Sequence, residues 1–192
     1  MRKRLGASEM DELGGRTARL AGTAMLSALI VVLDYGLKFS GLKIPFPWLP
    51  FLKFDFTGVP VILSLLLYGL PSAATTSIVA CIAITLRSGK LVSAALKALA
   101  ELSTASGMAL GLRLPGRWRR VSSAISGVAL RLVVMSVANL VVLPAYYQMP
   151  YGVVVGLLPL MGVFNIVQGS LTVLLGLMLH EAIARRLRSN PR

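Results

Sequence analysis

Five polar side chains that could do chemistry lie inside strongly apolar stretches of the sequence. Lys97 and Glu101 are four residues apart, so on a helix they would share one face and could form an ion pair. Asn139, Asn165 and Gln168 add amide groups to two later apolar stretches. Such groups are costly within a membrane and usually face the interior of a helix bundle, where they often mark a substrate site. They predict either a binding site or structural bridges between helices.

Two other charged residues lie in apolar stretches and are not predicted to bind a ligand. The sequence also shows no catalytic motif. Arg131 lies mid-stretch without an evident partner, which favours a structural role, and Asp34 lies near the end of its stretch, which favours the membrane interface. The sequence contains no GxxxxGK(S/T) phosphate loop, no HExxH motif and no GxSxG motif. Cys81 is the only cysteine and His180 the only histidine, which argues against a disulfide or a metal site. We predict no catalytic residues, no metal ligands and no cofactor.

The composition is typical of a membrane protein. Of the 192 residues, 56% are hydrophobic and 14% are charged, whereas an average soluble domain is about half apolar and about a quarter charged. The formal net charge of +13 stands in short groups between long apolar runs, and not as a patch on a polar surface, so nucleic acid is excluded as a partner. At about 20 residues per span, six helices leave no room for a separate soluble domain. We predict an all-α integral membrane protein surrounded by lipid.

The apolar runs predict a bundle of six transmembrane helices between two short tails. The helices are expected at Thr17–Leu37, Thr57–Tyr68, Ser72–Leu86, Leu91–Leu112, Val121–Leu143 and Val153–Ile183. Residues 1–16 form a polar tail expected to be disordered or interfacial, residues 17–184 the membrane domain, and residues 185–192 a basic tail. Residues 38–56 contain three prolines among aromatic residues, which predicts an aromatic loop at the membrane interface or folded over a cavity.

The basic residues predict the orientation in the membrane. Six spans put both termini on one side, and the tails together with the loop at 113–120 hold most of the Lys and Arg residues. Loops rich in Lys and Arg stay on the cytoplasmic side. Both termini are therefore predicted to be cytoplasmic, so the aromatic loop, the turn at 87–90 and the PAYYQMPYG loop face outward together.

The first helix carries small residues in two pairs spaced four apart, Ala18/Gly22 and Ala24/Ala28. Small residues at this spacing flatten one face of a helix and let another backbone approach closely. Spacing alone leaves internal packing and a subunit interface equally open.

Four motifs resemble one family of transport proteins. Residues 49–60, LPFLKFDFTGVP, resemble the family run FLKFDFSDIP, and residues 164–169, FNIVQG, resemble its FNLIKG. Residues 97–111 and 139–146 are similar to its GELANF and NYFLLPLY motifs. The family is that of the riboflavin-type substrate-capture (S) components of energy-coupling factor (ECF) transporters.

The resemblance implies a substrate pocket on the outer side, capped by the aromatic loop and lined by helices four, five and six. Ring edges of a vitamin, riboflavin in this family, would meet polar groups, and its ring faces would meet aromatic ones. The implied polar residues are Lys97, Glu101, Asn139, Asn165 and Gln168, and the implied aromatic residues are Phe46, Trp48, Tyr146 and Tyr147. Gly58 and Gln168 stand where the family has Asp and Lys, and a neutral Gln168 suits riboflavin better than its phosphate.

The resemblance also implies partners. A transmembrane coupling subunit would dock on the small residues of the first helix, Ala18, Gly22, Ala24 and Ala28, and two ATPase subunits would supply the energy. The vitamin would be the transported ligand, and the chain a multi-pass protein of the cell membrane.

Other readings of the same residues stay open at this point. The chain could be an S component for another vitamin or small molecule. It could also be a proton-driven secondary transporter, with Glu101 as the group that takes up the proton, or a membrane enzyme or accessory subunit that uses Lys97 and Glu101.

Overall fold

The computed structural model describes residues 2–41, 43–116 and 118–189, with side chains over residues 15–41, 43–116 and 118–186. These residues form six helices and one two-stranded hairpin. In chain order the elements are α1 (Arg2–Phe39), β1 (Ile44–Phe46), β2 (Leu49–Phe54), α2 (Val59–Tyr68), α3 (Leu70–Ser88), α4 (Leu91–Gly111), α5 (Arg119–Tyr147) and α6 (Tyr151–Ser189). Each of the six predicted segments overlaps one of these helices, in the predicted order.

Four of the described helices are long and apolar enough to cross a membrane. They span Gly15–Phe39, Leu70–Ser88, Arg119–Tyr147 and Tyr151–Arg186. Of the other two, α2 has 10 residues and α4 carries Lys97 and Glu101. The chain therefore has the features of a multi-pass membrane protein, although four helices, and not six, have the length and composition of a crossing.

Three helix boundaries differ from the prediction by more than two residues. The first helix begins at Arg2, so the tail predicted to be disordered or interfacial is helical. That tail holds strong helix formers (Leu, Met, Glu and Arg), and extending an existing helix avoids the unfavourable nucleation step. The fifth helix continues past Pro144 to Tyr147, into the predicted loop. The sixth helix extends to Ser189, and residues 190–192 of the predicted basic tail lie outside the described residues.

Tight glycine turns keep α2, α3 and α4 next to one another. Gly69 joins α2 to α3 with a φ of 89°, and Gly89 joins α3 to α4 with a φ of 68°. Both values lie in the left-handed region, which glycine adopts at low cost. The two N–H groups donate to the carbonyl oxygens of Leu65 and Thr85, at 2.9 and 2.8 Å. Such short connections make successive helices antiparallel neighbours.

The segment predicted as an aromatic loop contains an antiparallel hairpin. Ile44 pairs with Phe54 and Phe46 with Leu49, with one irregularity in the register. A two-stranded ribbon has only edge strands, which tolerate prolines because one side of each strand needs no ladder hydrogen bond. The Phe46 ring lies 5.6 Å from that of Phe164 on α6 and 5.8 Å from that of Phe54, so aromatic packing attaches the hairpin to the bundle.

Two apolar clusters hold the bundle together. The larger joins α1–α6 through Ile30, Val61, Ile62, Leu65, Ala73, Ala80, Ala105, Met108 and Val173 with their partly buried neighbours. The smaller packs the hairpin against α5 and α6 through Phe46, Leu49, Leu143, Val154, Met161 and Phe164.

The contact between α4 and α5 is made by small residues. A Cβ atom added to Gly107 would lie 2.8 Å from the Cα atom of Gly127, so the two backbones touch. The hydroxyls of Ser123 and Ser126 donate to the carbonyl oxygens of Met108 and Gly107, at 3.0 and 2.7 Å. Close backbones and hydroxyl hydrogen bonds are common devices for joining membrane helices. This close contact places the polar residues on the neighbouring turns of α4 and α5 opposite one another.

Asp34, expected near the membrane interface, is buried against side chains of other segments. Its carboxylate is 0% exposed and accepts hydrogen bonds from Lys43 Nζ and Arg87 Nε, both at 2.5 Å. Burial of this carboxylate is tolerated because two cations from other segments compensate its charge.

Candidate ligand-binding site

A cavity of about 560 Å³ lies between the hairpin and helices α4, α5 and α6. Its lining residues are Phe51, Leu52, Lys53, Asp55, Lys90, Ser93, Leu96, Lys97, Ala100, Glu101, Arg131, Met135, Asn139, Leu143, Tyr147, Met149, Met161, Phe164, Asn165 and Gln168. Apolar and aromatic walls with a few convergent polar groups are typical of sites for small organic molecules.

A buried ion pair forms one side of the cavity. Arg131 Nη1 lies 3.2 Å from Glu101 Oε1, and the two residues are 3% and 2% exposed. The same guanidinium donates to Thr104 Oγ1 at 3.3 Å and, through Nε, to Asn165 Oδ1 at 3.2 Å. Asn165 Nδ2 in turn donates to the carbonyl oxygen of Met161 at 2.9 Å. Asn165 thus uses both ends of its amide inside the protein and holds Arg131 in place.

A second ionic group lies where the hairpin ends. Lys97 pairs with Asp55, and Lys43 Nζ lies 3.7 Å from the same carboxylate oxygen. Asp55 Oδ1 accepts from the Thr57 hydroxyl at 2.8 Å. Gln168 Nε2 donates to the Asp55 carbonyl oxygen at 2.7 Å. Burial raises the pKa of the Asp55 carboxyl, but Lys97, Lys43 and Thr57 outweigh burial and hold that pKa below its ordinary value of 3.8.

The predicted ion pair between Lys97 and Glu101 is wrong. In the described structure Lys97 pairs with Asp55 and Glu101 pairs with Arg131. Each residue instead meets a partner from another element. Tertiary contacts of this kind override the weak preference of oppositely charged residues four apart on a helix.

Two residues that line the cavity each carry a buried acceptor with no hydrogen-bond donor among the described residues: Glu101 Oε2, which lies against Gly58, and Gln168 Oε1. A buried polar atom without a partner costs about 1–3 kcal/mol. Asn139 also lines the cavity and is nearly buried.

The mouth of the cavity is polar and exposed. Lys53 on the hairpin and Lys90 before α4 both line the cavity and are exposed. The hydroxyls of Ser93 and Tyr147 lie 2.8 Å apart and connect α4 with the end of α5. The hairpin, the turn around Lys90 and the segment at Met149 therefore meet at one opening.

The structure brings together six of the nine predicted binding residues. Lys97, Glu101, Asn139, Tyr147, Asn165 and Gln168 all line the cavity. Phe46, Trp48 and Tyr146 are not among its lining residues. Phe46 is buried in the aromatic cluster, whereas Trp48 at the hairpin turn is 65% exposed and Tyr146 is 62% exposed.

Sequence reasoning missed four charged residues of the cavity: the buried Asp55 and Arg131, and the exposed Lys53 and Lys90 at its mouth. Arg131 has a structural role through its hydrogen bonds, as predicted, but it also lines the cavity. Its spacing was informative, because Arg131, Met135 and Asn139 recur every four residues and so share one helix face. Asp55 lies within the LPFLKFDF run that carries the family resemblance.

The small residues of α1 lie on two sides of that helix. Gly22 faces α2, since a Cβ atom there would lie 2.6 Å from Tyr68 Cε2 and closer still to Tyr68 Cζ and the hydroxyl. Ala18, Ala24 and Ala28 are exposed. Ala24 and Ala28 line a groove between α1 and α3. Internal packing therefore uses Gly22, while the Ala24/Ala28 pair stays accessible.

The described residues form a mostly helical protein that has the features of a multi-pass membrane protein and encloses a cavity with several charged lining residues. No protein-family model matches the chain, and no curated protein matches it. A solved structure of the S component of a bacterial ECF transporter is similar to it, with a TM-score of 0.76 and 26% sequence identity. The similarity covers 90% of this chain and 98% of that one. This likeness supports the S-component class.

Proposed function

We propose that the chain is the substrate-binding S component of an ECF-type importer, which captures riboflavin outside the cell for ATP-driven uptake by partner subunits. The observation that carries the proposal is the cavity beneath the hairpin, in a fold similar to that of an S component. Glu101 and Gln168 line this cavity, and each carries a buried acceptor that lacks a donor among the described residues. The site is therefore built to receive a molecule with hydrogen-bond donors.

Riboflavin suits the chemistry of this cavity. Its flat ring system needs apolar and aromatic faces, which Phe51, Phe164 and the methionines of the wall supply. Its imide N–H and its ribityl hydroxyls can donate to the Glu101 and Gln168 acceptors, and its ring carbonyls can accept from the Asn139 amide. The volume of about 560 Å³ falls within the range of about 300–1,000 Å³ of small-molecule sites.

The proposed direction of capture follows from charge. Basic residues in the tails and in the 113–120 loop favour cytoplasmic termini. The cavity mouth is formed by the hairpin, Lys90 and Met149, which belong to the segments expected on the outside. The exposed Ala24/Ala28 pair is the proposed docking surface for a transmembrane coupling subunit, with two ATPase subunits bound to that subunit.

The proposal is tested by riboflavin binding to the purified, detergent-solubilised protein. We expect saturable quenching of flavin fluorescence, with weaker binding in Glu101→Gln and unchanged binding in Glu181→Gln. Glu181 is the matched control because it pairs with Arg120 in an exposed position and does not line the cavity. If riboflavin fluorescence stays constant while thiamine, biotin or a folate protects the protein against heating, riboflavin is the wrong ligand and the S-component role stands.

Energy coupling separates this proposal from a proton-driven transporter. A proton-driven mechanism needs a carboxylate that is free to exchange protons, whereas Glu101 is held by the Arg131 guanidinium. We expect uptake in vesicles to require ATP and the coupling and ATPase subunits, and to survive collapse of the proton gradient. Uptake by this chain alone that stops when the gradient is collapsed would contradict the proposal.

A further inference from the structure

The two ends of the hairpin meet at one ammonium group. Lys43 directly precedes β1, and Asp55 directly follows β2. Lys43 Nζ lies 2.5 Å from Asp34 Oδ1 on α1 and 3.7 Å from Asp55 Oδ2. Arg87, at the end of α3, contacts the other oxygen of Asp34 at 2.5 Å. A continuous series of charges therefore runs from α3 through α1 to the base of the hairpin.

The charged side chains that link the hairpin to α1 and α3 are largely buried. Asp34 is fully buried, and the side chains of Lys43 and Arg87 are 12% and 13% exposed. Removal of one partner from a buried pair leaves an uncompensated charge and is strongly unfavourable. Lys43 is therefore held near Asp34 far more firmly than a surface lysine would be.

The hairpin depends on such attachments. A two-stranded ribbon is marginally stable by itself in water. Phe51, Leu52 and Lys53, all on β2, line the cavity, so any displacement of the hairpin opens the site. The aromatic cluster around Phe46 attaches the hairpin to α6, whereas Lys43 attaches its base to α1.

We propose that Asp34 is a positioning residue that latches the hairpin over the cavity through Lys43. Its functional meaning rests on the proposed capture function, because a latched hairpin slows the escape of bound ligand. Asp34 does not line the cavity and acts only through Lys43. The Asp34–Lys43 pair joins the hairpin to α1, the helix that also carries the Ala24/Ala28 surface.

The test measures hydrogen–deuterium exchange of the ligand-free protein in detergent, together with riboflavin dissociation by stopped-flow fluorescence. The variants are Asp34→Asn and Lys43→Gln, with Lys43→Arg as the conservative replacement. Glu181→Gln is the matched control, since it removes an ion pair that involves neither the hairpin nor the cavity.

We expect Asp34→Asn and Lys43→Gln to raise exchange of the hairpin amides at 44–54 by about tenfold or more, the scale of one charge-assisted hydrogen bond. Riboflavin dissociation should accelerate by a similar factor. In Lys43→Gln, exchange in α3 and α4 should stay at the wild-type level, and Lys43→Arg and Glu181→Gln should behave like wild type throughout.

Unchanged hairpin exchange in Lys43→Gln would overturn the latch. So would an equal rise of exchange in α3 and α4, or a Lys43→Gln protein that does not fold, because either result would make the pair a general structural contact. If Asp34→Asn alone fails to fold, Lys43→Gln decides. If riboflavin binds none of the proteins, the proposed ligand is wrong, and the exchange measurement still decides the latch.

Discussion

Gly58 offers a sharp test of how Glu101 is positioned in the cavity. Gly58 precedes α2 with φ and ψ of −76° and −21°, which alanine adopts without strain. A Cβ atom at this position would lie 2.5 Å from Glu101 Cδ and 2.8 Å from Glu101 Oε1. These separations are well inside van der Waals contact, which for carbon atoms begins at about 3.5 Å. Gly58→Ala therefore forces the Glu101 carboxylate to move by about 1 Å.

The expected loss of affinity follows from the hydrogen bond between the Glu101 carboxylate and Arg131. Glu101 Oε1 is 3.2 Å from Arg131 Nη1, so a shift of this size breaks or weakens the bond. Hydrogen bonds to charged groups contribute about 1.5–3 kcal/mol, which corresponds to about 10- to 150-fold in affinity. We expect Gly58→Ala to weaken riboflavin binding by a factor in that range, because Glu101 Oε2 lies against Gly58 and the displaced carboxylate no longer holds the Arg131 guanidinium in its place on the cavity wall.

The assay is a fluorescence titration of Gly58→Ala beside Gly156→Ala. Gly156 is a matched control on α6, because a Cβ atom there would meet no heavy atom within 4 Å. Gly156→Ala should bind like wild type. Wild-type affinity in a folded Gly58→Ala protein would refute the reasoning, since it would show that the position of the Glu101 carboxylate does not matter for the ligand.

Three further perturbations have expected outcomes. Asn165→Leu should weaken binding by about 1–3 kcal/mol, because the buried guanidinium that its amide holds loses an acceptor; wild-type binding by titration would contradict this. Ala28→Trp should leave riboflavin binding intact and prevent co-purification with the coupling subunit, because a large side chain keeps the partner helix away; a normally assembled complex would count against the docking surface. Since the pKa of Asp55 is held below 3.8, its stabilising contribution is present above that value and is lost as the pH falls through the folded-state pKa. Thermal midpoints measured toward low pH should therefore fall more steeply in wild type than in Asp55→Asn, and parallel curves would exclude this role.

The helices and the polar side of the bundle could be predicted because their signals are local. Apolar runs of membrane length predict the helices, and amides inside such runs indicate an inward-facing site. Asn139 and Gln168 were found in this way, and both line the cavity. The hairpin was missed because three prolines argue against a strand unless both strands are edges.

The pairing of charges could not be predicted from spacing along one helix. Lys97 finds its partner 42 residues away in Asp55, and Arg87 finds Asp34 across 53 residues. Only the packed arrangement of helices brings these groups together. Once they are buried, an unpaired charge would be strongly unfavourable, so each group needs its partner. The four-residue rule describes an isolated helix surface, whereas these side chains lie between elements.

The separation of α1 from the cavity bears on how this protein can diverge. Among the described residues, the cavity draws its lining from the hairpin, the α3–α4 connection, the α5–α6 connection and helices α4, α5 and α6, and none from α1. Substitutions that retune the site for a different molecule therefore leave the Ala24/Ala28 face unaltered. Ligand preference and the proposed docking surface can therefore change independently in evolution, while the Asp34–Lys43 contact, seen among the described residues, carries changes on α1 to the hairpin.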